Sequence, residues 1–282
     1  AIERAREAIE AQNLGGGIVT AQMLAEQVAR QDTWTPLSER AAKDRTWAYG
    51  HIVVDEAQEL SPMAWRALLR RCPSRSFTVV GDLDQRRGSK RPPTWEKALG
   101  PAARALAAEY ALTVSYRTPA TLTTLAEGVV ARAGVPVLYP MTAVRDVDDC
   151  YRVTHVDAPE DAPASSKDNS PLWRTVAQAQ REAEERLDRE AGTSRGRIAI
   201  IVGNERARAW GADVDGETAL SERVSLLSAV ASKGLEFDSV ILVEPAEILS
   251  DGVGDLFVAL TRATHDVHVV HSAPLPAGME EW

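Results

Sequence analysis

Short apolar runs alternate with amphipathic segments along most of the chain after residue 50. The apolar runs predict strands at residues 52–54, 77–80, 111–114, 151–156, 197–202, 223–227, 240–243 and 267–270. Helical spacing predicts helices that start at Ser61, Thr118 and Ser170, each followed by a proline that suits a first helical turn. Because strands and helices interleave, the pattern indicates an α/β fold with parallel sheets.

Length and charge narrow the class of protein. A chain of 282 residues can bury two modest cores, so we expect two domains. Hydrophobic residues make up 44% and charged residues 26%, which is typical of a soluble globular protein. The 32 basic and 41 acidic residues give a net charge of −9, which disfavours a stand-alone nucleic-acid binder but leaves a local basic patch open.

The cysteines and the chain ends bear on localisation. Cys72 and Cys150 lie far apart and in no metal-ligand spacing, which favours a reduced, cytoplasmic setting. No apolar run reaches membrane-spanning length and no signal peptide is recognisable, so we expect no membrane partner. The chain opens on Ala1 in a helical pattern, and we expect it to be part of a longer protein.

The segment HIVVDEAQEL, residues 51–60, carries the first candidate chemistry. Its apolar run ends in the adjacent carboxylates Asp55 and Glu56, at the carboxyl end of a predicted strand, where open parallel sheets bind ligands. Asp55 is placed to hold a hydrated Mg²⁺, and Glu56 to polarise a water that attacks a γ-phosphate. A strand followed by a polar turn is the alternative, and the pair alone does not decide.

Two further polar stretches follow predicted strands. Gln85 ends GDLDQ, where its amide can report a γ-phosphate because it both donates and accepts hydrogen bonds. Arg117 lies in SYRTP, where a guanidinium can grip phosphate oxygens in a bidentate fork. Taken singly, the first is a polar turn and the second a surface arginine.

The last two stretches lie near the end of the chain. In SKGLEFDSVILVEP, Lys233 and Gly234 permit a tight turn and Glu236 offers a carboxylate before a buried strand. In LFVALTRATHDVHVV, Arg262 ends a short apolar helix and can act as an arginine finger. In isolation, a glycine turn before a strand is common, and an arginine at a helix end compensates the helix dipole.

Together, in this order and spacing, the five stretches resemble the later motifs of superfamily 1 helicases of the UvrD/Rep type. VVDEAQ resembles motif II, GDLDQ motif III, SYRTP motif IV, SKGLEFD motif V and VALTRA motif VI. The resemblance covers residues 51–119 and 224–271. Within the family the sequence is most similar to the HelD branch, whose members associate with bacterial RNA polymerase and recycle stalled complexes.

The resemblance implies roles for these residues and the cofactors ATP and Mg²⁺. Glu56 becomes the catalytic base, Gln85 the γ-phosphate sensor and Arg262 a transition-state stabiliser. Asp55 becomes the Mg²⁺ ligand. The residues implied to contact the nucleotide come from motifs IV and V, and they are Arg117, Lys233, Gly234 and Glu236.

Three departures from the family pattern limit what it implies. No G-x-x-x-x-G-K-[ST] phosphate loop of the Walker A type occurs, so the chain is expected to be a C-terminal part that does not hydrolyse ATP alone. The loop after Gln85, RRGSKRPPT, has no aromatic residue before Trp95 to stack on a base. The stretch between Gly203 and Glu222 has no room for the extra domain of DNA helicases in this family.

The resulting hypothesis is a pair of RecA-like units of the P-loop NTPase type. Residues 1–112 form the C-terminal half of motor domain 1, residues 113–282 form motor domain 2, and the nucleotide lies between them.

Three functions compete: an ATP-driven translocase on DNA, an ATP-driven remodeller of RNA polymerase, and a non-catalytic binding module. The expected partners are therefore DNA, bacterial RNA polymerase, or both, together with the missing N-terminal part.

Overall fold

A computed structural model describes residues 48–86, 92–157, 170–214 and 222–280. The described residues form two compact units, one of residues 48–53 with Arg66–Thr78 and the other of Val54–Trp65 with the residues from Val79 onward. The helical pattern that begins at Ala1 and most of the basic loop after Gln85 lie outside the described ranges. The division at residue 112 follows the motifs rather than these units, and it stays a prediction.

The strands and helices of the described ranges follow one another in a largely alternating order. The strands are β1 (Ile52–Val54), β2 (Phe77–Val79), β3 (Val114–Ser115), β4 (Thr142–Ala143), β5 (Tyr151–His155), β6 (Ile198–Val202), β7 (Val224–Ser228), β8 (Phe237–Val243) and β9 (Ala263–His271). The α-helices are α1 (Pro62–Arg71), α2 (Trp95–Leu99), α3 (Ala120–Arg132), α4 (Pro171–Glu190), α5 (Asn204–Trp210), α6 (Pro245–Asp251) and α7 (Val253–Leu260). Short 3-10 turns lie at Ala57–Glu59, Leu83–Gln85 and Gly100–Ala105.

A five-stranded sheet forms the centre of the larger unit. Its strand order is β5-β9-β8-β6-β7, and every neighbouring pair is parallel. Strand β6 reads IAIIV and is buried at every position, as expected for a parallel strand covered on both faces. The predicted α/β class with a parallel sheet is confirmed, and the arrangement is consistent with a RecA-like domain.

Helices cover both faces of this sheet. One core packs α3, α6 and α7 against it, and the other packs α4 and α5 against the opposite face. The buried side of α4 follows helical spacing, at Leu172, Val176, Ala179, Ala183 and Leu187. The rest of α4 is polar, and no helix in the described parts of the chain is long and apolar enough to cross a membrane.

The predicted helix starts are largely confirmed. Ser61 Oγ accepts the N–H of Ala64 at 3.2 Å, and Ser170 Oγ accepts the N–H of Trp173 at 3.0 Å, so both serines cap as expected. Thr118 does not cap, because its hydroxyl donates to the carbonyl of Thr261. Helix α3 accordingly begins at Ala120, after Pro119.

The strand predicted at residues 111–114 is wrong in extent. Only β3, Val114–Ser115, forms there, and it pairs in parallel with β4. Leu112 is 88% exposed. Strand propensity depends on packing against neighbours, and the exposure of Leu112 shows that this segment is little packed in the described structure.

The smaller unit brings the start of β1 beside the start of β2. The N–H of Ile52 donates to the carbonyl of Ser76 at 3.1 Å. The His51 ring bonds the hydroxyls of Ser76 and Thr78, at 2.8 and 3.1 Å. The imidazole therefore ties the two strands together, which is a structural role.

Candidate functional site

The carboxyl ends of β1 and β2 bring two of the predicted motifs together. The N–H of Val80 donates to the carbonyl of Val54 at 2.8 Å, and the N–H of Ala57 donates to the carbonyl of Val80 at 3.1 Å. The turn that follows Asp55 therefore lies beside the turn that ends at Gln85. Both turns belong to the larger unit.

The amino ends of β8 and β9 bring two further motifs together. The N–H of Phe237, the first residue of β8, donates to the carbonyl of Arg262 at 3.1 Å. Glu236 and Arg262 therefore lie side by side where the two neighbouring strands begin. Both strands begin earlier than the sequence predicted, at Phe237 and Ala263. Both of these residues are buried.

Direct contacts join these two pairs of strand ends. Lys233 Nζ donates to Glu59 Oε1 and to the carbonyl of Gln85, both at 2.6 Å. Arg262 Nη2 approaches Gln85 Oε1 at 3.4 Å, which is a long hydrogen bond. With Arg117, which contacts Glu236, residues from motifs II to VI thus meet in one cluster. We call it the motif cluster: Asp55, Glu56, Gln58, Glu59, Asp82, Gln85, Arg117, Lys233, Gly234, Glu236 and Arg262.

Glu56 has an uncommon backbone conformation. Its φ of 50° lies in the left-handed region, which a residue with a Cβ rarely adopts. The Asp55 Oδ1 atom accepts the N–H of Glu56 at 2.8 Å, which holds the two acids in place. Strain of this kind is often found at functional sites, where the surroundings enforce it.

Gln58 was missed by the sequence analysis, yet it connects both turns. Its side chain is fully buried, its Nε2 donates to Glu56 Oε2 at 2.5 Å, and its Oε1 accepts the N–H of Asp82 at 3.0 Å. A Cβ on Gly81 would lie 2.4 Å from Gln58 Oε1, so glycine is required there. The available signal was the position of Gln58 two residues after Glu56, within DEAQ.

Gln85 is held from its own turn. Its Nε2 donates to Asp82 Oδ2 at 2.9 Å, while Asp82 Oδ1 accepts the N–H of Asp84 at 2.8 Å. The amide oxygen of Gln85 then points to Arg262. The predicted sensor and the predicted arginine finger are therefore in contact, although 177 positions separate them.

Arg262 is the most buried cation of the motif cluster. It is 8% exposed, and its Nε donates to the carbonyl of Val258 at 3.2 Å, in the last turn of α7. Burial lowers the pKa of Arg262 from its ordinary value, and the carboxylate of Glu56 acts in the opposite direction. A guanidinium stays protonated in proteins, so Arg262 is a fixed positive charge facing acidic neighbours.

The remaining predicted nucleotide contacts bind protein groups. Arg117 Nη2 lies 2.5 Å from Glu236 Oε1, in a pair whose side chains are 57% and 43% exposed. Lys233 is paired with Glu59. Gly234 has a φ of +71°, so the tight turn predicted at this position needs glycine.

The acidic residues suit a hard cation that brings part of its own coordination shell. Within the described ranges, no group of three or more histidine, cysteine or acidic side chains is placed to hold a metal ion. Asp55 is exposed, and one of its oxygens is taken by the N–H of Glu56. One carboxylate with a free oxygen fits Mg²⁺, which keeps several waters and binds through one or two carboxylates and phosphate oxygens.

Comparisons with known proteins give helicases among solved structures. No family model and no curated protein matches the chain. The C-terminal domain of a possible DNA helicase from Lactobacillus plantarum is 20% identical, covering 59% of this chain and 92% of that one, with a TM-score of 0.37. The arterivirus nonstructural protein 10 helicase is 17% identical, covering 83% of this chain and 42% of that one, with a TM-score of 0.43.

A third helicase structure, from PRRSV, is 16% identical, with a TM-score of 0.38. The match covers 78% of this chain and 34% of that one, so the chain spans less than half of either viral helicase. At these scores the likenesses carry no argument about chemistry. The assignment to the UvrD/Rep type and to the HelD branch stays a prediction from the sequence.

Proposed function

We propose that this chain is the motor region of an ATP-dependent, superfamily 1 helicase-like protein. The observation that carries the proposal is the motif cluster, in which side chains from stretches up to 177 positions apart meet. Structural turns alone give no reason for an acidic pair, a glutamine and three basic side chains to converge. A nucleotide site gives that reason, because each of these groups has a role in phosphoryl transfer.

The proposed roles follow from the chemistry of each group. Asp55 would hold Mg²⁺, which would neutralise phosphate charge when bound with ATP. Glu56 accepts a proton from the attacking water, and Gln58 orients the Glu56 carboxylate. Gln85 contacts the γ-phosphate, and Arg262 faces the charge that develops there.

Motif V and motif IV complete the proposed nucleotide contacts. Arg117 and Lys233 supply cations for phosphate oxygens, and Gly234 lets the backbone approach. Glu236 faces the sugar. The phosphate-cradling lysine of a Walker A loop is absent from this chain, so turnover requires a longer protein that contributes that loop.

The client of the motor is proposed from charge and composition. A net charge of −9 and the absence of aromatic residues between Gln85 and Trp95 favour a protein client such as RNA polymerase over a DNA strand. A DNA translocase is the second candidate, because Arg86, Arg87, Lys90 and Arg91 make the loop after Gln85 locally basic. A non-catalytic binding module is the third, for the chain in isolation.

The test is the ATPase rate of the longer protein with and without single-stranded DNA. Strong stimulation by DNA supports a translocase and makes the basic loop after Gln85 the first candidate for contacts with the strand. Turnover that DNA does not change supports a protein client, and RNA polymerase is then added. A complete protein with no ATPase activity under any of these conditions refutes the motor proposal and leaves the binding module.

The catalytic assignment of Glu56 makes a sharper prediction. Glu56→Gln in the longer protein keeps the shape and the contact with Gln58 but removes the base, so turnover falls at least 100-fold while ATP binding is spared. Phosphate release and binding of a fluorescent nucleotide measure the two effects. Glu96→Gln, an exposed glutamate on α2, is the matched control and leaves both unchanged. Retained turnover in Glu56→Gln would refute Glu56 as the base.

A further inference from the structure

Residues 110–116 carry an exposed apolar stripe that the proposed motor chemistry does not use. Tyr110, Leu112 and Tyr116 are 87%, 88% and 74% exposed. Val114 between them is 49% exposed. The four residues alternate along the chain, so they share one face when the segment is extended. Soluble proteins seldom leave so many large apolar side chains together in water without a partner that covers them.

The backbone of this segment also has an open edge at Leu112 and Val114, whereas the carbonyl of Tyr116 accepts Arg145 Nε at 3.3 Å. Among the described residues, β3 pairs with β4 alone. The bonds use Thr113 and Ser115, whose carbonyls accept the N–H groups of Thr142 and Val144 at 2.7 and 2.9 Å. Because successive residues of a strand direct their backbone groups to opposite edges, Leu112 directs its own away from β4. An apolar edge of this kind is a template for another strand.

The sequence of the segment is complementary to itself. Residues 109–117 read EYALTVSYR, and an antiparallel copy centred on Thr113 pairs like with like. The pairs are aromatic, aliphatic or small along the segment and oppositely charged at its ends: Tyr110 with Tyr116, Leu112 with Val114, Ala111 with Ser115, and Glu109 with Arg117. Cross-strand pairs of these kinds stabilise antiparallel sheets.

We propose that residues 109–117 pair antiparallel with the same residues of a second copy of this chain, about a two-fold axis through Thr113. The result is a continuous four-stranded sheet with β4 and β3 of one copy followed by β3 and β4 of the other. A two-fold interface uses the same patch on both subunits, which a self-complementary segment satisfies. Residues 110–116 contain no charge, proline or glycine that would oppose strand pairing.

The charged ends of the segment are compatible with this pairing. Glu109 accepts a hydrogen bond from the Tyr139 hydroxyl, and Arg117 contacts Glu236. Both side chains are exposed. A second copy therefore adds an opposite charge at each end without the burial of an unpaired ion.

The first test is the mass of the chain in solution as a function of concentration. We expect the apparent mass from sedimentation equilibrium to rise with concentration from 30.6 kDa toward twice that value. Leu112→Lys places a cation opposite the partner's Val114 at two symmetric positions, and it raises the dissociation constant at least ten-fold. Because Leu112 is exposed, the fold is unaffected. Met63→Lys, at a residue 66% exposed, is the matched control and keeps the dimer.

The second test fixes the register. Thr113 directs its backbone groups to β4, so its pairing across the axis is of the non-hydrogen-bonded type, with Cα atoms about 4.5 Å apart. That separation suits a disulfide, so Thr113→Cys forms a covalent dimer on mild oxidation. The native Cys72 and Cys150 are buried and do not compete. Ala111→Cys is the control. It stays reduced, because Ala111 lies opposite Ser115 of the second copy, and the two introduced cysteines are about four residues apart along the strand.

Two results would overturn the proposal. A mass of 30.6 kDa at every concentration would assign the apolar stripe to a different partner. A dimer that resists Leu112→Lys, or that does not cross-link in Thr113→Cys, would place the interface elsewhere or in another register. Either result leaves the ATPase proposal standing, because Leu112 and Thr113, the residues changed in these tests, lie outside the motif cluster.

Discussion

At the scale of single residues, Lys233 links the turns on both sides of the motif cluster. Its ammonium group contacts the Glu59 carboxylate and the carbonyl of Gln85, and its side chain is 12% exposed. A partly buried lysine that bonds two groups contributes more than an exposed ion pair. Lys233 is therefore a structural connector in this state of the protein as well as a proposed phosphate ligand.

A double-mutant cycle measures this link. Lys233→Met lowers the free energy of unfolding by about 1–2 kcal/mol, because it removes a charged hydrogen bond and an ion pair together. In the cycle with Glu59→Gln, about 1 kcal/mol is non-additive. Chemical denaturation followed by circular dichroism is the measurement. Lys97→Met, at an exposed lysine on α2, changes stability by less than about 0.5 kcal/mol. Strict additivity of Lys233→Met and Glu59→Gln would contradict the link.

The sequence predicted most of the motif cluster but not the partners of its members. Asp55, Gln85 and Arg262 were identified from their positions after or before apolar runs. The contacts of Gln58 and Glu59 depend on which turn lies opposite, and no local pattern carries that information. The pairing of Arg117 with Glu236 was likewise invisible, since each had been assigned to the nucleotide.

At the scale of elements, helix α7 lies against the turn Leu83–Gln85 with no space between their backbones. A Cβ on Gly254 would lie 2.3 Å from the carbonyl oxygen of Arg86 and 3.1 Å from that of Asp84. Neither oxygen belongs to a flexible side chain, so neither can easily move aside. The glycine lets α7 carry Arg262 close to Gln85.

Gly254→Ala tests this close approach. The added methyl group forces α7 and the turn apart, and we expect a loss of about 1–3 kcal/mol in the free energy of unfolding. Gly128→Ala in α3 is the matched control, because the added Cβ would meet only the end of the Arg132 side chain, at 3.3 Å. It is expected to stabilise the protein by up to about 1 kcal/mol through helix propensity. Thermal unfolding compares the two, and equal effects would contradict the role given to Gly254.

The elements that the sequence predicted well are those whose buried positions follow a clear pattern, which is continuous in β6 and helically spaced on one side of α4. Strand β6 and helix α4 have patterns that their local sequence specifies. The pairing of β3 with β4 was not predicted, because two-residue strands leave no periodic signal. The amino-terminal extension of β9 was missed as well, since THD at residues 264–266 reads as polar although Asp266 is buried against Arg186.

At the scale of the whole molecule, the chain has most of the proposed chemistry but lacks the Walker A loop. We therefore expect no turnover of Mg·ATP by this chain alone, because no lysine cradles the β- and γ-phosphates. Phosphate release at high protein concentration is the measurement. Turnover that disappears in Glu56→Gln would contradict this prediction and would show that the chain is a complete enzyme.

The order of the sheet could not be derived from the sequence. The chain order of β5 to β9 differs from their spatial order, in which β9 lies between β5 and β8. That placement brings the start of β9 beside the start of β8, and so Arg262 beside Glu236. The motifs identify which residues matter, and the crossover connections decide which of them become neighbours.

The pairs Lys233 with Glu59 and Arg117 with Glu236 have a consequence for any anionic ligand. The protein supplies its own substitute anions, because the Glu59 and Glu236 carboxylates already bind the two cations. An arriving phosphate group must exchange places with a carboxylate rather than fill an empty position. The displaced acids then have to turn toward solvent or toward a metal ion, so ligand entry and rearrangement of the motif cluster are a single event.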